Sequence, residues 1–330
     1  MTVTIGRREL LAALGGAAAT WPLAARAQQP TLPVIGFLDS RSSDGMASRL
    51  AAFRQGLKEI GFVEGENVTI LYRWAGDRVD RLPEIASELA RQATVIVTTG
   101  GPPAAFAAKA ATTTTPIVFL VGEDPTRLGL VTSLARPSGN LTGINMLSNE
   151  LEAKRLQLLH QLVPQARRIA VLVSPANVTN AEMTLRDVEA AARTIGLQLQ
   201  VLKANTAREI EEGFAWSEQK PDAIFVGAAA FLNIHRVRLV QLAAFHHLPA
   251  TYGQREAAEA GGLMSYGPSI FEAYRQWGSY AGRVLKGAKP TELPVVQSTK
   301  FELVINNMTA RMFGLTVPPS LLAIADEVIE

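Results

Sequence analysis

Short apolar runs alternate with segments of helical periodicity along most of the chain. The segment Ala47–Ile60, for example, would place Leu50, Phe53, Leu57 and Ile60 on one face of a helix. The runs are apolar at successive positions and rich in β-branched residues, which is typical of parallel strands covered on both faces. The predicted strands are Val34–Leu38, Val68–Tyr72, Thr94–Thr98, Ile117–Val121, Leu141–Met146, Ile169–Val173, Leu199–Leu202, Ala223–Val226, Ala250–Tyr252 and Leu263–Tyr266. Their alternation with helices predicts an α/β fold on parallel sheets.

The two halves of the chain share one series of landmarks. A strand of similar sequence opens each half, at Val34–Ser40 and at Ile169–Pro175. A helix ending in Ile-Gly and a later strand preceded by Pro follow in both halves, at Ile60-Gly61 and Pro116, and at Ile195-Gly196 and Pro249. Any two α/β segments share the alternation of strand and helix, but the matched landmarks favour an internal repeat. We therefore predict two doubly wound parallel-sheet lobes.

Two lobes of this kind need connecting segments, and the predicted hinge strands are those flanked by glycine. Asn140–Leu147 and Gly261–Gly267 fit this description, because glycine adopts hinge torsions at low cost. A third crossing is predicted at Phe301–Asn306, and the tail after it could dock on either lobe. We predict lobe 1 from residues 31–142 plus 267–298, and lobe 2 from residues 143–266 plus 299–330.

The first 27 residues have the pattern of an export signal. Arg7 and Arg8 precede a short apolar stretch, Ala12–Leu23, and Ala25-Arg26-Ala27 provides small residues at a cleavage site. The adjacent arginines favour the twin-arginine route, and an ordinary secretory signal is the alternative. The stretch is too short for a stable membrane anchor. We therefore expect cleavage near Ala27 and a protein that works in the periplasm.

Charge and cysteine content limit the partners and the kinds of site that the sequence can have. The whole chain carries a formal net charge of +2, and residues 1–27 contribute three arginines and one glutamate, so the exported part is close to neutral. A nucleic-acid partner would need a basic patch, and none is expected. The chain has no cysteine, which excludes disulfides, thiolate metal sites and attachment of a lipid through a cysteine. We expect a monomer without a direct membrane anchor.

The sequence carries no recognisable catalytic motif. The four histidines do not stand at metal-ligand spacing, and neither a Gly-x-Ser-x-Gly elbow nor a P-loop is present. No Gly-x-Gly-x-x-Gly follows a strand, which disfavours dinucleotide binding. We therefore expect no metal, no cofactor and no enzymatic role, and an exported enzyme remains the alternative from another class.

Candidate binding residues follow from the predicted sheets, because open α/β sheets bind ligands beyond the carboxyl ends of their strands. Small hydroxyl side chains and backbone N–H groups would hold a carboxylate, an acid would hold an ammonium group, and aromatic side chains would enclose a ring. The candidates are Ser40, Thr98, Thr99, Gly100 and Asp124 in lobe 1, and Asn177, Phe231, Tyr252, Glu256 and Tyr266 in lobe 2. Asp124 and Glu256 are the ammonium candidates; Asp124 could instead cap a helix, and the aromatic residues could instead pack in the core.

Several segments resemble one family of bacterial solute-binding proteins that serve ATP-binding-cassette importers, often labelled as tryptophan/tyrosine transport. They are Trp21–Pro30, Val34–Leu38, Ala52–Glu59, Tyr72–Trp74, Thr112–Val118, Ile169–Val173, Gly261–Gly267 and Lys300–Asn306. The resemblance covers essentially the whole chain. It implies a two-lobed protein like the type I periplasmic binding proteins, which closes on a small ligand and docks on a membrane permease. An aromatic amino acid or a related small carboxylate is the expected ligand, and a sensor for a chemoreceptor or kinase is the alternative role.

Overall fold

The computed structural model describes residues 32–148, 151–215 and 220–330. The predicted export signal lies outside the described residues. The strands are β1 (Val34–Asp39), β2 (Thr69–Trp74), β3 (Val95–Thr99), β4 (Ile117–Val121), β5 (Leu141–Asn145), β6 (Arg168–Val173), β7 (Gln198–Lys203), β8 (Ala223–Val226), β9 (Ala250–Tyr252), β10 (Met264–Pro268), β11 (Val296–Gln297), β12 (Phe301–Asn306) and β13 (Glu327–Ile329). Each of the ten predicted apolar runs overlaps one of these strands.

Helices separate most of the strands. They are α1 (Ala47–Glu59), α2 (Leu82–Gln92), α3 (Pro102–Ala111), α4 (Glu152–Leu162), α5 (Val178–Ile195), α6 (Ala207–Gly213), α7 (Ala230–Ile234), α8 (Arg236–Phe245), α9 (Arg255–Glu259), α10 (Ile270–Leu285), α11 (Asn307–Met312) and α12 (Pro319–Leu322). Within the described residues, none of the helices is both long enough and apolar enough to cross a bilayer.

The strands form two sheets of matching order. The first runs β11-β5-β4-β3-β1-β2, and the second runs β13-β12-β10-β9-β8-β6-β7. The five strands from β1 to β5 therefore have the same arrangement as the five from β6 to β10, in agreement with the predicted repeat. Strand pairing is parallel except between β10 and β12. The prediction of an α/β fold with two parallel-dominated sheets is confirmed.

The chain passes from one sheet to the other slightly later than the predicted lobe divisions. Strand β5 pairs with β4 as far as Asn145, and β10 pairs with β12 as far as Pro268. The predicted divisions after residues 142 and 266 therefore fall within strands, and the crossings follow β5, follow β10 and precede β12.

The glycines in β5 and β10 serve close packing rather than hinge bending. A Cβ atom on Gly143 would lie 2.2 Å from the carbonyl oxygen of Phe119 in the neighbouring strand, and one on Gly267 would lie 1.9 Å from that of Gly253. Gly139 and Gly261, which flank or open the two predicted hinge segments, have positive φ values of 73° and 99°. The role of these segments as hinges stays a prediction, while Gly143 and Gly267 are needed for close approach of neighbouring strands.

Each sheet is covered on both faces by helices, so each lobe has a core on either side of its sheet. In lobe 1, α1 and α10 cover one face, where Phe37 of β1, Phe53 of α1 and Trp277 of α10 pack together. The indole N–H of the buried Trp277 donates to the carbonyl of Val118, 2.9 Å away, which ties α10 to β4. Helix α10, which follows the second crossing, therefore belongs to lobe 1, as the first strands of the chain do.

The backbones of α1 and α10 touch at glycines. A Cβ atom on Gly56 would lie 1.8 Å from the carbonyl oxygen of Arg275, and a Cβ atom on Gly278 would lie 2.0 Å from that of Phe53. Neither obstacle is a flexible side chain, so an added methyl group could be accommodated only by moving one helix away from the other.

We expect Gly56→Ala to lower the free energy of unfolding by about 2 kcal/mol or more, because overpacking of a tight contact outweighs the better helix propensity of alanine. Urea unfolding followed by circular dichroism measures this change. Gly213→Ala is the matched control, since a Cβ atom there would meet only a side-chain carbon of Leu202, 3.9 Å away. Equal stability of the two variants would contradict the proposed backbone contact.

Candidate functional site

Two adjoining cavities lie between the lobes, beyond the carboxyl ends of the strands. The inner cavity encloses about 540 Å³ and the outer cavity about 460 Å³, both counted as far as their open mouths. Arg41, Gly100, Asn177 and Ala230 line both, so the two spaces form one continuous cleft. This position agrees with the general location of ligand sites in open α/β sheets.

Arg49 joins the lobes on one side of the inner cavity. It projects from α1 of lobe 1, and its Nη2 donates to Gln254 Oε1 at 2.7 Å and to Glu256 Oε1 at 3.0 Å in lobe 2. The residue is 1% exposed, and its Nη1 has no hydrogen-bond partner among the described residues. A buried guanidinium that lines a cavity and keeps an unused donor is suited to binding an anionic group.

Arg41 is a second guanidinium in the same cavity and is fixed within lobe 1. Its Nε and Nη2 each donate to a carboxylate oxygen of Asp39 at 2.8 Å, and Nη2 also donates to the Tyr274 hydroxyl at 2.9 Å. The Tyr274 hydroxyl lies 3.1 Å from Thr99 Oγ1. Burial disfavours the charge of Arg41, but the electrostatic attraction and hydrogen bonds of Asp39 and Tyr274 together outweigh it and raise the pKa of Arg41 above its ordinary value. This network holds the guanidinium at the wall of the cavity.

Glu123 joins the lobes on the other side. It follows β4, and its Oε1 accepts hydrogen bonds from the side-chain amides of Asn177 at 3.2 Å and Asn180 at 3.1 Å. Asn177 also caps α5, because its Oδ1 accepts from the backbone N–H of Asn180. Burial raises the pKa of the Glu123 carboxyl above its ordinary 4.5, although the two amides favour the charged form.

The charges of the inner cavity are unequally matched. Asp39 balances Arg41 and Glu256 balances Arg49, whereas Glu123 forms no ion pair within the described residues. The cavity therefore combines a guanidinium donor without a partner with a carboxylate that lacks a counter-charge. Apolar side chains supply part of the wall between them; these are Leu120, Met146 and Ile270. Such an arrangement is complementary to a small zwitterion.

Five of the ten predicted site residues line the cleft. Thr99 lines the inner cavity, Ser40 and Phe231 line the outer cavity, and Gly100 and Asn177 line both. All five stand at or just beyond the carboxyl end of a strand, which is the position from which they were predicted.

The other five predicted residues, Thr98, Asp124, Tyr252, Glu256 and Tyr266, do not line either cavity. Asp124 accepts hydrogen bonds from the backbone N–H and the hydroxyl of Thr126, so it caps its own turn. Glu256 is occupied by Arg49.

Thr98, Tyr252 and Tyr266 face the lobe interiors. Thr98 is buried within β3, and its hydroxyl has no partner in the described structure. Tyr252 belongs to a buried apolar cluster of lobe 2, where burial raises the pKa of its hydroxyl. Tyr266 packs against another apolar cluster of lobe 2. In this structure both rings contribute to packing and neither lines the two cavities, so the ring-enclosing role of Tyr252 and Tyr266 stays a prediction.

Eight polar residues of the inner cavity were not among the predicted site residues: Arg41, Arg49, Glu123, Ser148, Asn180, Asn233, Gln254 and Tyr274. A signal existed for two of them. Glu123 is the neighbour of Asp124, which was selected instead, and Arg49 lies four residues before Phe53, on the apolar face of the predicted helix. A charged residue on an apolar helix face is a reason to expect a buried partner. In the described part of the chain, no three acidic or histidine side chains are grouped as a metal site would require.

Three known proteins illustrate what this chain is similar to. A "tyrosine-binding protein" of Clostridioides difficile (strain R20291) is 24% identical over 264 residues, which are 80% of this chain and 75% of that protein. A crystal structure of an ABC domain in complex with L-Trp from Streptococcus pneumonia has a TM-score of 0.78 and 25% identity, over 89% of this chain and 100% of that one. A conserved domain protein from Vibrio cholerae has a TM-score of 0.81 and 24% identity, over 90% and 99% of the two chains.

The match to a family model extends over nearly all of the described structure. The model of the ABC transporter substrate binding protein family aligns with residues 34–329, from the first strand to the last and through both lobes. The chain belongs to the ABC transporter substrate binding protein family.

Proposed function

We propose that this protein is the periplasmic solute receptor of an ATP-binding-cassette importer, and that it binds an aromatic amino acid or a related small carboxylate between its lobes. The observation that carries this proposal is Arg49, a buried guanidinium that lines the cleft, bridges the lobes and keeps Nη1 free. Family membership supports the role in transport. The ligand would then be handed to a membrane permease that recognises the closed form of the receptor.

The carboxylate of the ligand would bind to Arg49. A buried donor without a partner costs about 1–3 kcal/mol, and a carboxylate oxygen at Nη1 would recover this cost as a charge-assisted hydrogen bond. In the hydrogen bonds of Arg41 with described residues, Nε and Nη2 serve as donors and Nη1 does not. A second guanidinium donor is therefore available from the opposite part of the lobe 1 wall.

The ammonium group of the ligand would bind to Glu123. This carboxylate has only amide partners in the described contacts, so a cation in the cavity would supply the counter-charge that the protein does not provide. The same cation would lower the pKa of Glu123 again and favour its ionised form. A carboxylate ligand without an amino group would leave Glu123 uncompensated, which favours an amino acid over its analogues.

The side chain of the ligand would extend into the outer cavity. Val79, Pro103 and Phe231 give this space an apolar part, and Ser40 and Ser174 add hydroxyl groups. Phe231 is the one aromatic candidate from the sequence that reaches the cleft, and a ligand ring would pack against it at an offset or edge-to-face angle. The names of the two relatives, which mention tyrosine and L-Trp, support a ligand of this size.

Replacement of Arg49 tests the carboxylate site. We expect the parent protein to melt at a higher temperature with L-tyrosine or L-tryptophan, and Arg49→Met to lose at least about tenfold in affinity, since a charged hydrogen bond contributes about 1.5–3 kcal/mol. Isothermal titration calorimetry measures the affinity. Arg54→Met is the matched control, because Arg54 lies on the same helix but pairs with Glu64 at the surface. Equal affinities of the Arg49 and Arg54 variants would refute the assignment.

Replacement of Glu123 tests the ammonium site through ligand preference. We expect the parent to prefer an amino acid strongly over the matching α-hydroxy acid, and Glu123→Gln to lose most of that preference, because the amide keeps the shape but carries no charge. Competition of the two ligands in a fluorescence or calorimetric titration gives the ratio of affinities. A preference that survives in Glu123→Gln would place the ammonium group elsewhere.

The raised pKa of Glu123 also predicts how the stability of the protein depends on pH. Because its pKa is raised in the folded protein, the folded state binds the proton more tightly than the unfolded chain does, and the charged carboxylate lowers stability above pH 4.5. Without ligand, Glu123→Gln should melt at a higher temperature than the parent near pH 7.5, and this difference should vanish as the pH falls below 4.5.

Asp124→Asn is the control of opposite sign for the pH experiment. Burial opposes the charge of Asp124, but hydrogen bonds from the hydroxyl and N–H of Thr126 and from the N–H of Arg127 outweigh it and lower the pKa. Its contribution to stability is present above its ordinary pKa and is lost as the pH falls through the lowered value. Asp124→Asn should therefore destabilise the protein near neutral pH. Melting curves with the same sign for both variants would contradict these assignments.

A further inference from the structure

A buried ion pair lies beneath the lobe 2 part of the inner cavity. Glu152 and Arg155 stand one turn apart in the first part of α4, soon after the chain enters lobe 2. They are 0% and 1% exposed, and Nη2 of Arg155 donates to Glu152 Oε2. Neither is among the described residues that line the cleft, so the pair is not a ligand contact.

Arg155 holds the ends of two strands whose loops form the cavity wall. Its Nη2 donates to the carbonyl of Val226, the last residue of β8, at 2.9 Å, and its guanidinium lies over the Phe225 ring, 4.3 Å from the centroid. Gly253, just beyond β9, lies so close that a Cβ atom on it would be 2.5 Å from Arg155 Nη1. The loops that begin here are residues 227–230 and 253–256.

Glu152 holds the first of these loops from the other side. Its carboxylate accepts a hydrogen bond from the backbone N–H of Ala228, which lines the inner cavity, and one from the Thr184 hydroxyl at 3.3 Å. Thr184 belongs to α5, the helix that presents Asn177 and Asn180 to Glu123. The pair therefore lies against the loop that contains Ala228, against Gly253, and against the helix that follows Asn177.

A buried ion pair at this place is weak evidence for a stabilising role. Burial penalises both groups, raising the pKa of Glu152 and lowering that of Arg155, and Nε of Arg155 has no partner in the described part of the chain. Buried ion pairs can often be replaced by apolar residues of similar volume without loss of stability. Their directional hydrogen bonds, in contrast, fix the position of the groups that they contact.

We propose that Glu152 and Arg155 are positioning residues for ligand binding. They fix the loops 227–230 and 253–256 so that Ala228 and Ala230 close the inner cavity and Gln254 and Glu256 receive Arg49. This proposal rests on the proposed function, because ligand affinity is one of its two readouts.

The test is the double variant Glu152→Met/Arg155→Met, which removes the charges and keeps the volume. It should melt close to the parent, since apolar burial offsets the partners that the Ala228 N–H and the Val226 carbonyl lose. It should nevertheless bind L-tyrosine and L-tryptophan about tenfold more weakly, the loss expected when a charged hydrogen bond is misplaced. Amide hydrogen exchange without ligand should quicken in residues 227–230 and 253–256 while β6 stays protected. Glu211→Gln/Arg238→Gln, which removes an exposed ion pair of the same lobe, is the control and should change neither property.

Each outcome of this test either supports or overturns the positioning role of Glu152 and Arg155. Parent-like affinity and loop exchange in a stable double variant would overturn the proposal, and so would faster exchange spread over all of lobe 2 with a lower melting temperature, which is the behaviour of a stability element. If the double variant does not fold, Arg155→Lys decides, since it keeps the charge but loses the planar guanidinium that lies over the Phe225 ring and donates to Val226; unchanged affinity and exchange there would overturn the proposal. If the parent binds neither amino acid, the proposed function fails, and loop exchange still tests the positioning role.

Discussion

The structure depends on the burial of charges between two lobes that are otherwise separate. Each lobe has its own sheet and its own apolar cores, so contact between them rests on polar groups that must find partners as water leaves. Arg49 reaches Gln254 and Glu256 on one side, and Asn177 and Asn180 reach Glu123 on the other. These contacts are directional and few. The contact between the lobes is therefore specific in geometry, because each of these hydrogen bonds requires a particular relative position of the two lobes.

The fold could be predicted almost completely because its signals are local. Strands buried on both faces are apolar at every position, as in β4 and β6, and a parallel sheet with covering helices follows from their alternation. The repeat was visible because the landmarks of β1 and β6 are similar in sequence. The lobe boundaries were less exact, since Gly143 and Gly267 indicated a joint in the sequence but allow close strand contact in the structure.

Residues of the candidate site could be predicted from the sequence only where they lie at the carboxyl ends of strands. Thr99, Gly100 and Asn177 follow from the rule that ligands bind beyond the carboxyl ends of parallel strands. Arg49 does not, because it comes from a helix and its partners are more than 200 positions away in the sequence. The choice between Glu123 and Asp124 depends on which of two adjacent side chains turns toward the cleft, and sequence pattern does not determine that direction.

The late return of the chain to each lobe has a consequence for how the protein is made. Helix α10 and strand β11 belong to lobe 1 but follow strands β6 to β10 of lobe 2 in the sequence. Strands β12 and β13, which complete the sheet of lobe 2, come last, within residues 301–329. On a ribosome, neither sheet has its full set of strands until nearly the whole chain has emerged. The two lobes are separate in space, but the last strand of each is synthesised within the same short interval. Contacts between elements that are far apart in the sequence also slow folding. Until these contacts form, unpaired strand edges such as that of β10 are exposed.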